Sequence, residues 1–377
     1  MPSSSTDISM RFSRAVIAAI ACIAAAVCFV GCSSGAPTPN IAPHLYASQD
    51  AAPTRAIDEC ESVEMSALPS ETLSAEQMRE RMNELYSTVV YDRKRPVFAD
   101  GDPAEAVYAA ARAVLDEYVP SSWRNDTAGR FDIIHTVHDW LAYNTDYDFE
   151  LYEEYKKGGE NTENSPAFHI DGVFLNGRAV CDGIARAFAF LCALDGIRCV
   201  RVSGSYSSAP HAWNKVELDG QWYNVDATAD AAYYSDRGEY KKQLSHGFFM
   251  LSDDAIRGFA EAPHVFEYQY YKANADYDYY AAEAVTYTIN GEEFSAVVKT
   301  AEQLNAIFSA IEASDRAVGK IELKLDFDDK STVGNADTYT AEIAAAYSLI
   351  KNSDYNTSSS LPYFRYPNGV YLFLIYR

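Results

Sequence analysis

The chain lacks several features that mark common classes of protein. None of its seven cysteines forms a CxxC pair, which argues against a zinc knuckle or a thioredoxin-type redox site. Basic residues are scarce, since 31 Lys and Arg stand against 54 Asp and Glu, and the formal net charge is −23. This charge repels phosphate backbones and anionic lipid surfaces, so we expect no nucleic-acid partner. No internal repeat is visible.

The N-terminal sequence predicts an export signal. Arg11 and Arg14 precede an apolar run over residues 15–30, which is shorter than the ~20 residues that a membrane-spanning helix needs. A basic segment, a short apolar segment and a small residue before the cut are typical of export signals. Gly31-Cys32 resembles a bacterial lipobox, in which the cysteine is lipidated and becomes the new N-terminus. We predict a lipid anchor at Cys32 on the outer face of the bacterial cell membrane; the alternative is a plain signal peptide or an anchor helix.

The chain divides into a leader, a tether and two domains. Residues 1–32 are the predicted lipoprotein signal peptide, and residues 33–72, rich in Pro, Ala and Ser, predict a flexible tether. Residues 73–265 contain helix signals followed by strand signals, an order typical of an α+β domain with helices packed on an antiparallel sheet. A Tyr- and Asp-rich linker over residues 266–283 leads to a small α+β domain over residues 284–377.

Two helices in the first domain have clear boundaries. Asp102-Pro103 predicts a helix that runs to Tyr118, because proline is favoured at the first helical position. A second helix begins at Cys181 and ends before Gly196, a residue that commonly terminates helices.

Cys181 is a candidate nucleophile because of its place at a helix start. Helix N-termini carry free N–H groups and a partial positive charge, which favour the nucleophilic thiolate over the thiol. The same N–H groups could hold the oxyanion that forms when a carbonyl is attacked. The alternative is a buried structural cysteine, which suits Cys192, in mid-helix, and Cys199, in a strand, better than Cys181.

His211 and Asp226 are predicted to share one face of a hairpin. Asp219-Gly220 is typical of a two-residue turn, which would place Trp213 opposite Asp226. Facing residues project to the same side of the sheet, and His211 lies two residues from Trp213, so it projects to that side as well. A His–carboxylate hydrogen bond there would fix the imidazole tautomer and favour its protonated form. A turn of odd length would break this geometry.

These residue types suit a nucleophile, a base and an orienting carboxylate. Spacing alone does not bring Cys181 to the hairpin, and a His–Asp pair on a sheet face is often only structural. A metal site at Cys181, His211 and Asp226 is a third interpretation. His135 and His138 could also share a metal ion on one helix, but no third ligand is spaced with them, and a hydrogen-bonded core role for His138 is the alternative.

Two segments resemble the transglutaminase-like superfamily of papain-type thiol enzymes. They are GRAVCDGIARAFAFLCALDGIRCVRVSG and HAWNKVELDGQWYNVDATAD, and they contain in order the family's V-C-x-G-x-A-x-A-like run, its H-A-W-N and its W-x-x-V-D-x-T. The resemblance spans residues 127–254. It implies a papain-like fold in which Cys181 is the nucleophile, His211 the base and then the acid, and Asp226 the orienter. Ala229 stands where many bacterial relatives have Trp, which indicates a change in the lining of the cleft.

The resemblance implies an enzyme that forms a thioester with peptide or carboxamide substrates. Water would then make it a peptidase or amidase, and an amine would make it a cross-linking acyltransferase; hydrolysis is slightly favoured for a surface lipoprotein. Extracellular protein or cell-wall peptide is the expected substrate, and no cofactor or metal is expected. The alternative is a non-catalytic binding or scaffold lipoprotein, because members of this superfamily have lost the triad. The tyrosines of the linker could bind polysaccharide or peptide, or could simply pack on the domain.

Overall fold

The computed structural model describes most of the chain between residues 55 and 375. The described ranges are 55–68, 72–125, 127–236, 239–259, 263–267, 271–279, 285–314, 320–326, 363–366 and 369–375. The predicted signal peptide with Cys32, and the tether as far as residue 54, lie outside these ranges. Within them, no helix combines the length and the apolar character needed to cross a membrane.

Helices dominate the described residues between 75 and 194. They are α1 (Ala75–Val90), α2 (Pro103–Tyr118), α3 (Thr127–Asn144), α4 (Phe149–Lys156), α5 (Ile170–Asn176) and α6 (Cys181–Leu194). The side chain of Asp102 accepts the N–H of Ala104 at the start of α2, and Pro103 is the first residue of that helix, as predicted. Helix α6 begins at Cys181, and Gly196 follows its end with a φ of 82°, which confirms both predicted boundaries.

Short strands precede the main sheet. They are β1 (Ser62–Glu64), β2 (Arg95–Val97), β3 (Asp146–Tyr147) and β4 (Arg178–Ala179), and they form two parallel pairs, β1 with β2 and β3 with β4. Ile57 is fully buried, and Met65 also packs in the main core. Residues 57–65 therefore belong to the packed domain, although the sequence predicted a tether as far as residue 72. Their few apolar side chains gave no periodic signal.

The main sheet is antiparallel and carries the hairpin predicted from Asp219-Gly220. The elements in this part of the chain are β5 (Cys199–Tyr206), β6 (Ala209–Leu218), β7 (Gln221–Val225), α7 (Ala227–Asp230), β8 (Ala231–Asp236), β9 (Glu239–Leu244), α8 (Asp253–Gly258) and β10 (His264–Phe266). The strands of the main sheet lie in the order β10-β5-β6-β7. Leu218 pairs with Gln221 and Asn214 pairs with Val225, so the predicted register is confirmed.

Helix α6 lies in the centre of the core. Asp182 and Arg186 are its only residues that are not buried, and a helix that is apolar on all sides is expected in the interior. Asp182 accepts hydrogen bonds from Arg186 and from Arg201 of β5, which ties the exposed side of the helix to the sheet. Helices and antiparallel strands thus form one α+β layer structure around α6.

The described residues of the C-terminal unit form strands and one helix. Its elements are β11 (Thr286–Ile289), β12 (Glu292–Ser295), β13 (Val297–Val298), α9 (Ala301–Glu312), β14 (Lys320–Leu325), β15 (Tyr363–Tyr366) and β16 (Gly369–Ile375), with a sheet in the order β13-β14-β16-β15. The helix predicted from Tyr339 lies outside the described residues.

Three described tyrosines of the linker pack on the first domain, and one of them, Tyr271, stacks on Trp222 with ring centroids 4.1 Å apart. Tyr277 stacks on Phe131 with ring centroids 4.8 Å apart, and Tyr279 stacks on His246 at 4.5 Å. These contacts agree with the interpretation that the linker packs on the domain. Tyr268, Tyr270 and Tyr280, which belong to the same cluster in sequence, lie outside the described residues.

Candidate active site

Cys181 lies at the first position of α6 and is 5% exposed. The preceding residue, Val180, has an extended backbone and an apolar side chain that cannot accept a hydrogen bond. It therefore does not cap the N–H groups at the start of the helix. The Val180 N–H donates to the carbonyl oxygen of Ala167 at 2.9 Å. Gly183, in the first turn of the helix, packs so closely on the same carbonyl that an added Cβ would lie 2.4 Å from its oxygen. The glycine of the V-C-x-G run thus fixes the helix start against a neighbouring segment.

His211 and Asp226 come together through the hairpin. The turn residues Asp219 and Gly220 have φ values of 52° and 77°, the left-handed pair that a two-residue type I′ turn requires. Strand β7 ends at Val225, so the chain leaves the sheet just before Asp226. The Nε2 atom of His211 lies 2.7 Å from Oδ2 of Asp226, within hydrogen-bonding distance as the spacing predicted.

Asp226 accepts hydrogen bonds on both carboxylate oxygens. Its Oδ1 atom accepts the N–H groups of Thr228 at 3.1 Å and Ala229 at 2.9 Å, because Asp226 caps the N-terminus of α7. Burial alone would raise the pKa of this carboxyl group, but the imidazoles of His211 and His264 outweigh it and hold the pKa far below its usual range. Asp226 is therefore an anion with a fixed orientation.

Cys181 and His211 are close enough to interact. Burial opposes a charge on His211, but the negative charge and hydrogen bond of Asp226, together with a hydrogen bond to the Cys181 side chain, raise the pKa of His211 to about 10. Because Nε2 faces Asp226, Nδ1 is the ring nitrogen left for the sulfur. A thiol beside an imidazole that is paired with a carboxylate is the arrangement found in thiol-dependent acyl transfer.

His264 is a site residue that the sequence did not reveal. Its Nε2 atom lies 2.9 Å from Oδ2 of Asp226, and the whole residue is 1% exposed. Burial lowers the pKa of His264, so a neutral ring donates its Nε2–H to the carboxylate. The residue arrives on β10, which pairs with β5 so that His264 faces Tyr206. No spacing rule links that edge strand to the hairpin.

Tyr147 is a second residue that the sequence did not reveal. Its hydroxyl lies within hydrogen-bonding reach of both the thiol and the backbone amide of Cys181. Burial and the neighbouring Cys181 and Tyr152 raise the pKa of Tyr147 well above its usual value, so the phenol stays a neutral donor. The sequence offered only the Cys181 N–H as an oxyanion donor, and Tyr147 adds a side-chain donor at the same place.

Asn214 joins the two elements that carry Cys181 and His211. This residue of the H-A-W-N segment is 2% exposed, and its side-chain amide donates to the carbonyl oxygen of Ala185 at 2.8 Å. Asn214 lies on β6 three residues after His211, and Ala185 lies on α6 one turn after Cys181. The bond therefore fixes the position of the helix against the hairpin.

A cleft of about 90 Å³ opens beside His211. Three tyrosines, Tyr147, Tyr152 and Tyr206, contribute to its walls. Ala229 also lines it, as predicted for the position where many bacterial relatives have Trp. His211 is one of the residues that line this cleft.

Cys192, Cys199 and His138 are buried in the interior, away from the cleft. Cys192 and Cys199 are buried in the core, and within the described part of the chain they and Cys181 are free thiols. His138 is fully buried between Asp230, at 3.1 Å, and Asp139, at 2.8 Å. This placement agrees with a hydrogen-bonded core role.

Residues 118–227 match the family model of the transglutaminase-like superfamily. The kyphoscoliosis peptidase of Mus musculus is 25% identical over 165 residues, which cover 41% of this chain and 24% of the mouse protein. The kyphoscoliosis peptidase of Homo sapiens is 28% identical over 165 residues, which cover 40% of this chain and 24% of the human protein. The matched region thus spans about a quarter of the length of these relatives.

A crystal structure of a TGase is similar over 48% of this chain and 40% of that chain, with 14% sequence identity and a TM-score of 0.28. The family match covers the helix that begins at Cys181 and the hairpin that carries His211 and Asp226. The chain therefore contains a transglutaminase-like domain of the α+β class.

Proposed function

We propose that this chain is a cell-surface thiol enzyme that acts on peptide or carboxamide bonds through Cys181, His211 and Asp226. The observation that carries the proposal is the contact of one imidazole with two groups. His211 holds the Asp226 carboxylate at 2.7 Å through Nε2 and lies within hydrogen-bonding reach of the Cys181 thiol on its other side. A thiol, an imidazole and a carboxylate in this order are the components of nucleophilic acyl transfer.

The first half-reaction forms a thioester. Cys181 attacks the carbonyl carbon of the substrate as the thiolate, while its proton is held on the His211 imidazolium. The backbone N–H of Cys181 and the hydroxyl of Tyr147 are both placed to donate to the resulting oxyanion. When the tetrahedral species collapses, the C–N bond breaks and His211 gives its proton to the departing amine. Asp226 keeps the imidazole oriented and stabilises its positive charge throughout.

The second half-reaction decides the class of enzyme. His211, now neutral, takes a proton from water or from an amine that attacks the thioester, and Cys181 leaves as the thiolate. Water yields a free acid, and an amine yields a cross-link. We favour hydrolysis, because the two relatives are named peptidases and because a lipoprotein anchored at Cys32 would meet extracellular protein or cell-wall peptide in bulk water.

A non-catalytic binding module is the second candidate, and one observation favours it. Cys181 is only 5% exposed, and the hydroxyl of Tyr147 lies against its thiol. In a binding module this cover would be permanent, and the apolar cleft beside His211 would serve as the recognition surface. In an enzyme, the substrate carbonyl must displace the tyrosine hydroxyl from the sulfur.

Replacement of the nucleophile tests the proposal. The variant Cys181→Ala should lose activity on a panel of peptides and glutamine amides, while Cys60→Ala, which removes a partly buried cysteine outside the site, should retain it. Addition of a primary amine to the wild type then separates transfer from hydrolysis by the mass of the product. Activity that survives in Cys181→Ala would rule out the mechanism.

Alkylation distinguishes the enzyme from the binding module. An accessible, imidazole-paired Cys181 should react with iodoacetamide faster than the buried Cys192 and Cys199, and the rate should depend on pH. Peptide mapping by mass spectrometry assigns the labelled residue. Equal and slow labelling of all three thiols would favour the binding module.

A further inference from the structure

A second cluster of histidines and acids lies outside the candidate active site. His135 and Asp139 lie one turn apart on α3, and His246 follows β9. The Nε2 atoms of His135 and His246 are 3.0 Å apart. The Oδ1 atom of Asp139 lies 3.0 Å from His246 Nε2, and its Oδ2 atom lies 3.3 Å from His135 Nε2. Two imidazole nitrogens and one carboxylate thus converge on a single point.

Hydrogen bonds alone do not satisfy all three side chains of this cluster. The Nε2 atom of an imidazole carries either one hydrogen or one lone pair, so it makes one well-directed hydrogen bond. The Nε2 atom of His246 nevertheless has two partners at 3.0 Å, His135 and Asp139. Asp139 in turn already accepts from Nδ1 of His138 at 2.8 Å. One cation in the centre would engage all three converging side chains at once.

The spacing of the ligand atoms suits a small divalent ion. Nitrogen and oxygen ligands lie about 2.0–2.2 Å from zinc, so two ligands of a tetrahedral site are separated by about 3.3 Å. His135 Nε2 and His246 Nε2 are 3.0 Å apart, and the Asp139 oxygens that face them, Oδ2 and Oδ1, lie at 3.3 and 3.0 Å, so each separation is within a few tenths of an ångström of that value. The His135 and Asp139 side chains are 25% and 32% exposed, which leaves room for water as a fourth ligand.

Glu322 of β14 supports the ring of His246 from the other side. Its Oε2 atom lies 3.4 Å from His246 Nδ1, and its Oε1 atom lies 3.3 Å from the His246 backbone nitrogen. Metal-bound histidines commonly donate their second ring N–H to a carboxylate in this way. A divalent cation bound by two neutral imidazoles would balance the charges of the Asp139 and Glu322 carboxylates. Tyr279 stacks on the His246 ring at 4.5 Å and covers the cluster.

We propose that His135, Asp139 and His246 bind a divalent transition-metal ion, with zinc as the best fit to the ligand set. Two nitrogen ligands and one carboxylate suit zinc and its first-row neighbours and argue against calcium or magnesium, which prefer oxygen alone. The ion would connect α3 and the segment after β9, and through Glu322 it would fasten the C-terminal unit to the transglutaminase-like domain. It takes no part in the chemistry at Cys181.

Metal analysis of the full chain, purified without a polyhistidine tag, tests the proposal directly. The protein is incubated with zinc and passed through gel filtration in a buffer that contains a weak chelator. We then expect one zinc per chain by inductively coupled plasma mass spectrometry. The variant His135→Gln should lose this zinc, and Glu322→Gln should bind it about 10- to 100-fold more weakly because the supporting carboxylate is gone. The variant Cys181→Ala should keep its full zinc content, which separates this test from that of the thiol mechanism.

The second His–Asp–His group, His211, Asp226 and His264, provides the matched control. The variant His211→Gln should retain the zinc, whereas zinc lost from His211→Gln and kept by His135→Gln would place the ion at the active site and overturn the proposal. Wild-type protein that retains no zinc would overturn the proposal too. The protonated ring of His246 would then donate one N–H to Asp139 and the other to Glu322. If His135→Gln does not fold, cobalt(II) binding to the wild type and to His211→Gln decides: a thiolate charge-transfer band, or cobalt lost from His211→Gln, would contradict the proposal, and cobalt retained by His211→Gln without such a band would support it.

Discussion

The Nε2 atom of His264 lies 2.9 Å from Oδ2 of Asp226, the same oxygen that faces His211. Two imidazoles therefore share one carboxylate oxygen, one at the mouth of the cleft and one in the core. Because the pKa of His264 is lowered by burial, it acts as a neutral donor and leaves the positive charge to His211. His264 thus positions the orienting acid from behind.

Loss of the His264 donor should weaken catalysis without affecting substrate binding. We expect His264→Leu to lower kcat by roughly 10- to 100-fold with KM unchanged, because an unpaired lone pair on the buried Asp226 is costly. The variant His264→Gln, whose amide can still donate, should recover most of the activity. Steady-state kinetics of the two variants provides the measurement. Equal activity of His264→Leu and the wild type would remove His264 from the site.

The activity of the wild type should remain high far into the alkaline range. The pKa of His211 is raised to about 10 from an ordinary value of about 6.5, so the imidazolium that protonates the leaving amine survives until the pH approaches 10. The corresponding stabilisation of the fold is complete below about pH 6.5 and declines as the pH rises through 10. Profiles of kcat/KM and of Tm against pH check both statements.

The variant Asp226→Asn is the control for that profile. It removes the negative charge that raises the pKa of His211 but keeps an oxygen that can cap α7. We expect the alkaline limb to move by several pH units toward about 6.5, and kcat to fall by roughly 10²- to 10⁴-fold. An unmoved limb would show that Asp226 does not control the protonation of His211.

Removal of the Tyr147 hydroxyl should slow the chemical step. We expect Tyr147→Phe to lower kcat by roughly 10- to 1,000-fold, the range for the loss of one oxyanion donor, with a folded protein and an intact Cys181. The measurement is kcat together with the rate of iodoacetamide labelling. Faster labelling combined with higher kcat would instead identify Tyr147 as a cover on the sulfur.

A methyl group at position 183 should destabilise the start of α6. An added Cβ would lie 2.4 Å from the Ala167 carbonyl oxygen, which also accepts the N–H of Val180. We expect Gly183→Ala to lower the free energy of unfolding by about 1–3 kcal/mol through overpacking and to move Cys181 away from His211. Thermal unfolding and the labelling rate of Cys181 test the two effects. Gly220→Ala is a control for strain without crowding, because Gly220 has a positive φ and no neighbour within 4 Å of an added Cβ.

Local signals predicted the elements that carry the candidate site. Pro103 begins α2, Cys181 begins α6, and the Asp219-Gly220 turn sets the register of the hairpin, because in each case a short stretch of chain determines its own conformation. The proximity of His211 and Asp226 followed from that register alone. The resemblance to a family was needed to bring Cys181 to them, since the contact joins a helix and a sheet.

Contacts between distant segments could not be predicted in the same way. His264 reaches Asp226 only because β10 pairs with the far edge of β5. His246 reaches Asp139 across 107 residues, so the third ligand that His135 lacked in the sequence comes from another element. Helices α4 and α5 are short, and such helices form through packing more than through their own propensity.

The side-chain amide of Asn214 on β6 donates a buried hydrogen bond to α6. This bond helps to fix the distance between the Cys181 sulfur and the His211 imidazole. This buried hydrogen bond resists movement of the sheet against the helix, but once it breaks no other described contact of Asn214 holds Cys181 beside His211. Warming that merely loosens the sheet against the helix would separate nucleophile from base while most secondary structure persists. Inactivation should then precede global melting, and circular dichroism would report an intact molecule that no longer turns over.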